Sequence, residues 1–294
     1  WYQRFRKRHG FSIRRRTSVG QKLPKGYEGM AWATDLTSEQ LASVEAEIFE
    51  ELGNMDQTPV QHEMPVETTL EKTGAKDARI STGGKEKERF TLVLAVMADG
   101  QKVPQRIIFK GTPFIPPPVR GKGKSTMPRK NSDKSWCDQR ECTKWISDSW
   151  KLRPNNGSVV QQRPCILVLD DFKCHKDEGF IAALKKDANT IVNFIPGGLT
   201  PLLQPLDRML NKQMKRLLRG KYTAYSASAV ADARSGKLKP PGRGVVSTWC
   251  KEAWESITPE TVKTCFKTCG LTLALDGSED HAWCVHNFGQ GYRD

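Results

Sequence analysis

Apolar positions recur along this chain in short, separated sets, and their spacing switches between helical and alternating. Thr37 and Gln40 form a capping-box pattern, and Leu41, Val44, Ile48, Phe49 and Leu52 follow at helical spacing. This predicts an amphipathic helix over 38–52, closed by Gly53. Strand signals come next. Arg89–Met97 alternates and is rich in branched residues, Asp99-Gly100 is a hairpin turn, and 102–109 reads as the returning partner. Cys165–Leu169 and 190–195 are short apolar runs of the kind buried within a sheet, and Pro196-Gly-Gly198 ends the second. Helical periodicity predicts helices over 136–150, 180–186, 207–222 and 245–267, with 111–135 a loop and 223–244 a flexible basic segment. At the start, Trp1 and Phe5 sit one helical turn apart, Gly10 ends that turn, and 12–25 reads as a linker. A hairpin followed by strand–helix–strand–helix predicts a mixed α/β sheet flanked by helices.

Composition fits a packed core, with 37% hydrophobic residues. The longest apolar runs, 92–98 and Cys165–Leu169, fall far short of the ~18 residues a membrane span needs. A chain that opens on Trp1 rather than Met reads as a piece of a longer protein. Its eight cysteines show no framework spacing, which suits a reducing compartment. Charge adds the first functional clue. Forty-seven Lys and Arg against 33 Asp and Glu give a net charge of +14. The excess is clustered at 1–26, at 110–130 and at 208–243. Such clusters suit a polyanion, because each neutralised phosphate releases a counterion.

Three aspartates stand where local pattern offers a chemical role. Asp56 is placed at the start of the first strand, Asp170 ends the apolar run Ile166-Leu-Val-Leu, and Asp207 opens a helix after Gln204-Pro-Leu. In an open α/β sheet, ligands gather at the carboxyl ends of strands. Converging carboxylates repel unless divalent cations neutralise them, and paired Mg²⁺ ions can drive an in-line displacement at phosphorus. Taken singly, each aspartate also fits a turn, a cap or a helix first turn. Asp171 competes with Asp170, since neighbouring strand residues face opposite sides.

Three blocks go further: Asn54-Met-Asp-Gln-Thr-Pro-Val60, Leu167-Val-Leu-Asp-Asp-Phe-Lys-Cys-His175, and Phe194-Ile-Pro-Gly-Gly-Leu-Thr-Pro-Leu-Leu-Gln-Pro-Leu-Asp207. Together they resemble the pogo branch of the mariner transposase superfamily, with its Tigger, jerky and centromere protein B-like relatives. The resemblance implies a ribonuclease H-like catalytic domain with an Asp-Asp-Asp triad, here Asp56, Asp170 and Asp207. The 36 residues between the last two are similar to the family's spacing. His175 and Gln204 are implied in supporting roles. The family's chemistry implies two Mg²⁺ or Mn²⁺ ions, and double-stranded DNA as partner. Its expected substrates are terminal inverted repeats and TA targets, in the nucleus, with a homodimer as a candidate assembly and no membrane partner. Residues 1–26 resemble the end of a helix-turn-helix with a basic linker, 27–272 the catalytic domain, and 273–294 a tail. A Phe-x-x-Cys-Gly turn at Phe266 matches the domain's end. Gln57 departs from the Glu common in the family, and Asp171 from the common Asn. The alternative function is a domesticated nuclear DNA-binding or regulatory protein.

The residues expected to hold DNA phosphates are Arg14, Arg15, Arg16, Lys122, Lys124, Lys212, Lys215, Arg216 and Arg219. Cys265, Cys269, His281, Cys284 and His286 admit a zinc reading, with a helix end and tail preferred. Trp136, Trp145 and Trp150 fit core packing better than base stacking.

Overall fold

A computed structural model of the chain describes residues 51–65, 82–110, 139–153, 164–229 and 237–273, together with 279 and 282. The turn holding Trp1 and Phe5, the linker at 12–25, most of the expected helix 38–52, the loop 111–135 and Trp136 lie outside them. Five strands form one sheet: β1 (Leu52–Gln61), β2 (Arg89–Met97), β3 (Arg106–Ile108), β4 (Cys165–Leu169) and β5 (Thr190–Phe194). Their order is β3-β2-β1-β4-β5. β1 and β2 pair antiparallel, as do β2 and β3, whereas β4 runs parallel to β1 and β5 parallel to β4. Flanking them are α1 (Gln139–Asp148), α2 (Glu178–Ala188), a short α3 (Thr200–Leu203), α4 (Asn211–Ser228), α5 (Arg243–Glu255) and α6 (Pro259–Thr268). This is the mixed, helix-flanked sheet of a ribonuclease H-like α/β fold.

Strand alternation sorts side chains into two cores. Leu94 and Val96 of β2 and Val168 of β4 pack with Leu202, Leu206, Leu210, Met214 and Phe266 on one face. Met55, Val93, Ala95 and Leu167 pack with Trp145, Trp150, Phe180 and Leu184 on the other. By that parity Asp56 shares a face with Leu52 and Val60, and Asp170 shares it with Ile166 and Val168. Gln57 falls on the face of Met55. Trp145 and Trp150 stack at 5.4 Å and are fully buried, as the core reading expected.

Several boundaries differ from the sequence reading. Leu52 and Gly53 belong to β1 rather than closing a helix. The sheet claims them from both sides, because Gly53 pairs with Met97 and with Leu167. Asp56 therefore sits mid-strand, not at its start. Only Arg106–Ile108 of the expected return strand pairs regularly. Pro104 breaks the ladder, and Lys102 turns its ammonium to the carbonyls of Trp254 and Ile257 at 2.7 and 2.6 Å. β5 is an edge strand with Ile191 exposed, not a buried one. Helix α4 continues through Ser228 into the segment read as flexible. The expected helix 245–267 is two helices, because Pro259 cannot continue the first and instead starts α6, capped by Thr258.

Gly53 has a further reason to be glycine. A Cβ there would lie 2.5 Å from Cη2 of Trp150, an indole already packed against its stacked partner. Gly53→Ala is expected to lower unfolding stability by about 1–3 kcal/mol in urea denaturation, the range for overpacking a tight core. An unchanged midpoint would show that Trp150 has room to retreat.

Candidate active site

The three segments carrying the aspartates meet at one end of the parallel strands. Asp56 is buried in the middle of β1, Asp170 follows β4 and is half-buried, and Asp207 is exposed in the π-helical turn Leu206–Leu210 that leads into α4. Burial pushes the Asp56 carboxyl up from the usual 3.8 to about 7, and the charges of Asp207 and Asp170 add to that push. Backbone donation at Gln57 and the amide of Asn211 oppose it. Asp171 does not join the group. Its carboxylate forms an ion pair with Lys176 on the surface.

A pair of buried amides holds these segments together. Asn54, two residues before Asp56 and on the same face, donates to the Val168 carbonyl at 2.9 Å and to Gln204 Oε1 at 2.8 Å. Its own Oδ1 accepts from the Leu206 amide at 3.2 Å. Gln204 in turn donates to the Met55 carbonyl at 3.2 Å. Both side chains are fully buried. β1, β4 and the turn bearing Asp207 are thus cross-linked through two side chains. Gln204 was expected as a supporting residue; Asn54 was not singled out, although it lies inside the first motif block.

One turn beyond Asp207, Asn211 donates through Nδ2 to Asp56 Oδ2 at 2.5 Å and to Asp207 Oδ1 at 2.9 Å. A single amide nitrogen therefore lies between two carboxylates. Among the described residues, the Oδ1 of this buried residue has no hydrogen-bond partner. Its i+4 spacing from Asp207 was the signal by which sequence could have found it. His175, also buried, donates from Nδ1 to Asp170 Oδ1 at 2.6 Å, and its Nε2 meets Gln57 Nε2 at 3.0 Å.

The site opens into a cleft of about 1040 Å³, lined by Asp56, Gln57, Asp170 and His175 at one part and by Lys85, Lys87, Arg89, Lys110 and Arg243 elsewhere. Buried Glu63 shapes that basic wall by accepting from the Gly83 and Lys85 amides at 2.9 and 2.8 Å. Lys85 and Lys87 come from a stretch whose sequence pattern is weak, and Arg89 opens β2. Of the cations expected on DNA, Lys212, Lys215, Arg216 and Arg219 lie along α4. Burial pushes the Lys215 ammonium down, while Asp207 and Asp56 pull it up, which places it within their field. Arg14, Arg15, Arg16, Lys122 and Lys124 lie outside the described residues. So do His281, Cys284 and His286. Cys265 and Cys269 are buried at the end of α6, where burial pushes the Cys265 thiol up to about 12. Gly270 there takes φ +77° and ends the helix.

The donor set at the site is all oxygen: three carboxylates with the orphaned Asn211 Oδ1 nearby. That chemistry fits a hard divalent cation. Among the described residues no three His, Cys, Asp or Glu side chains close into a preformed cage. Asp56 and Asp207 instead share the Asn211 amide, and Asp170 is turned to His175.

Comparison with known proteins agrees with the fold and the motifs. The family model described as DDE superfamily endonuclease matches residues 87–266. "Pogo transposable element with KRAB domain" from Mus musculus is 32% identical over 294 residues, covering 96% of this chain and 46% of that protein. The human protein of the same name is also 32% identical, over 98% of this chain and 46% of its own length. The chain thus spans about half the length of these curated relatives. Among solved structures, the Mos1 mariner paired-end complex with Mn aligns with a TM-score of 0.56 at 10% identity, covering 99% of this chain and 71% of that one. The Mos1 strand transfer complex aligns at 0.55 and 12%, covering 99% and 70%. These two show the shared fold. With its sheet order, its family match and its pogo relatives, the chain belongs to the DDE superfamily endonucleases, as a catalytic domain of the pogo and mariner type.

Proposed function

We propose that this domain cleaves DNA at the ends of a transposable element and joins the freed strand to a target. The observation that carries the reading is the buried Asp56 carboxylate, held beside Asp207 and Asp170 at the mouth of a basic cleft. Asp56 and Asp170 would share one Mg²⁺ or Mn²⁺ ion, and Asp207 would help hold a second. Ions so placed supply Lewis-acid activation of the attacking oxygen and stabilise the leaving one. The protein's own part is placement and charge. Asn54 and Gln204 fix the spacing of the three backbones, and His175 holds Asp170 by one oxygen. Asn211 donates to both Asp56 and Asp207, and a bound cation would supply the positive charge that this shared amide stands in for. Lys85, Lys87, Arg89, Lys110 and Arg243 would contact phosphates along the cleft, and Lys212, Lys215, Arg216 and Arg219 those beyond it, which sets the DNA's register without reading its bases. Arg14, Arg15, Arg16, Lys122 and Lys124 are proposed to extend that grip. Terminal inverted repeats and a TA target are the proposed substrates, in the nucleus and by a homodimer.

A second reading has its own support. The relatives named for a pogo element joined to a KRAB or a ZNF domain favour a domesticated descendant that holds DNA as a regulator. Nicking separates the two. The purified chain, given duplexes ending in candidate inverted repeats flanked by TA, is expected to nick them only with Mg²⁺ or Mn²⁺. Asp170→Asn and Asp207→Asn should each reduce nicking by roughly a thousandfold or more. Activity surviving either change would sink the assigned site. Binding without nicking under any metal condition would favour the regulator.

Asp56 also makes stability depend on pH. Its carboxyl keeps a proton in the fold up to about 7, whereas in the unfolded chain it ionises near 3.8. Between those values the folded state binds more protons, so stability falls as pH rises through that window, and the cost is fully present above it. In EDTA, the melting temperature of wild type should therefore drop more steeply from about pH 5 to about pH 8 than that of Asp56→Asn. Added Mn²⁺ should recover the loss at the upper pH in wild type alone. Parallel pH profiles for the two proteins would show that Asp56 is not the strained group.

A further inference from the structure

The dipeptide Asp56-Gln57 places consecutive side chains on opposite faces of β1. Asp56 reaches the other acids from one face. From the opposite face Gln57 reaches His175, whose ring also lies edge-on to Phe172 at 5.6 Å and tilted against Phe180 at 6.3 Å. The Gln57 amide nitrogen has two recorded partners, His175 Nε2 at 3.0 Å and the Sγ of buried Cys142 at 3.7 Å. A carboxylate can only accept, so the short contact to Asp170 requires the hydrogen on His175 Nδ1. In the neutral ring Nε2 is then an acceptor, and Gln57 is the donor that meets it. Both recorded bonds to the Asp170 side chain, from His175 and from the Phe172 amide at 3.4 Å, fall on Oδ1. Oδ2 receives none.

We infer that Gln57 is a positioning residue: through His175 it anchors Asp170 by Oδ1 and so presents Oδ2 to a divalent cation. One strand would then supply one acid of the site directly and orient a second through the residue beside it. Without Gln57, the His175 ring keeps its aromatic neighbours but loses the donor at Nε2 that holds its orientation toward Asp170. Outer partners of this kind typically change metal affinity by about 10–100-fold. The inference rests on the reading of Asp170 as a metal-binding carboxylate.

Mn²⁺ binding to the whole chain, followed by titration calorimetry, tests it without reference to turnover. Gln57→Leu removes the donor with an apolar side chain; Gln57→Met, which also keeps the side chain's length, is a second variant should leucine disturb the fold. Either is expected to weaken Mn²⁺ binding by about tenfold or more. A merely structural role would lower the melting temperature in EDTA and leave Mn²⁺ affinity alone. His175→Asn supplies a donor to Asp170 that does not depend on Gln57, so in that background Gln57→Leu is expected to add no further loss. Wild-type affinity in Gln57→Leu, or an equal loss in both backgrounds, would overturn the inference. Asp170→Asn distinguishes the two levels. If it binds Mn²⁺ as tightly as wild type, the reading of Asp170 fails and takes this inference with it. If it loses binding while the Gln57 variants do not, only the inference fails.

Discussion

The placement of the three acids depends on the hydrogen bonds made by two buried amides, Asn54 and Gln204. The three acids belong to segments far apart in sequence, and nothing in a carboxylate attracts another carboxylate. The clamp acts close to each of them. Asn54 lies two residues before Asp56, its acceptor Val168 two residues before Asp170, and Gln204 three residues before Asp207. Four bonds thus set the mutual placement of three backbones before any acid is considered. The arrangement is also all-or-none. Losing either amide would strand buried partners of the other, at about 1–3 kcal/mol for each group left unsatisfied. A fully satisfied polar network of this sort rigidifies its surroundings more than an apolar contact would.

Rigidity matters because the acids work against the fold. A buried carboxylate beside two others raises its own pKa, and Asn211 meets only part of that cost by donating to two of them with one nitrogen. Of the three acids Asp56 is the buried one, while Asp170 is half-exposed and Asp207 exposed. Division between the faces of the sheet serves the same end. The helices α3 to α6 support the face of Asp56, while α1 and α2 support the opposite face, from which His175 and Gln57 approach.

Much of this was legible in the sequence, and the exceptions share a cause. The alternation of β2, the apolar run of β4 and the motif blocks were sufficient for the mixed sheet and for the meeting of the three segments. Gly53 was misread because glycine after a helical pattern usually ends a helix, whereas here the demand for glycine comes from Trp150, 97 residues away. Lys102, too, keeps only a single bridge to Val96 and turns its ammonium to carbonyls at the end of α5. Lys85 and Lys87 of the basic wall were hidden in a stretch without period, where Glu63 holds the Gly83 and Lys85 amides. Asn211 had only its i+4 spacing from Asp207 to announce it, and the role of Gln57 is defined by a partner brought close by the fold. Local pattern reports what a residue's neighbours in sequence require, and these residues answer to neighbours in space.

That distinction bears on how each residue should be weighed as a sign of function. Asn54 and Gln204 satisfy backbone groups that any version of this fold would need satisfied, so their presence speaks for the architecture alone. The cations of the cleft suit any polyanion and would serve a DNA-binding regulator as well as a nuclease. His175 packs against Phe172 and Phe180 and has a place in the core whatever Asp170 does. Asp56 is different. It is buried, its charge is opposed by its surroundings, and the amide that meets it would be satisfied equally by a neutral oxygen acceptor. The fold would be relieved by asparagine there. A residue that the architecture does not need, kept where it raises the energy of the folded state, is the feature on which the proposed cation site rests.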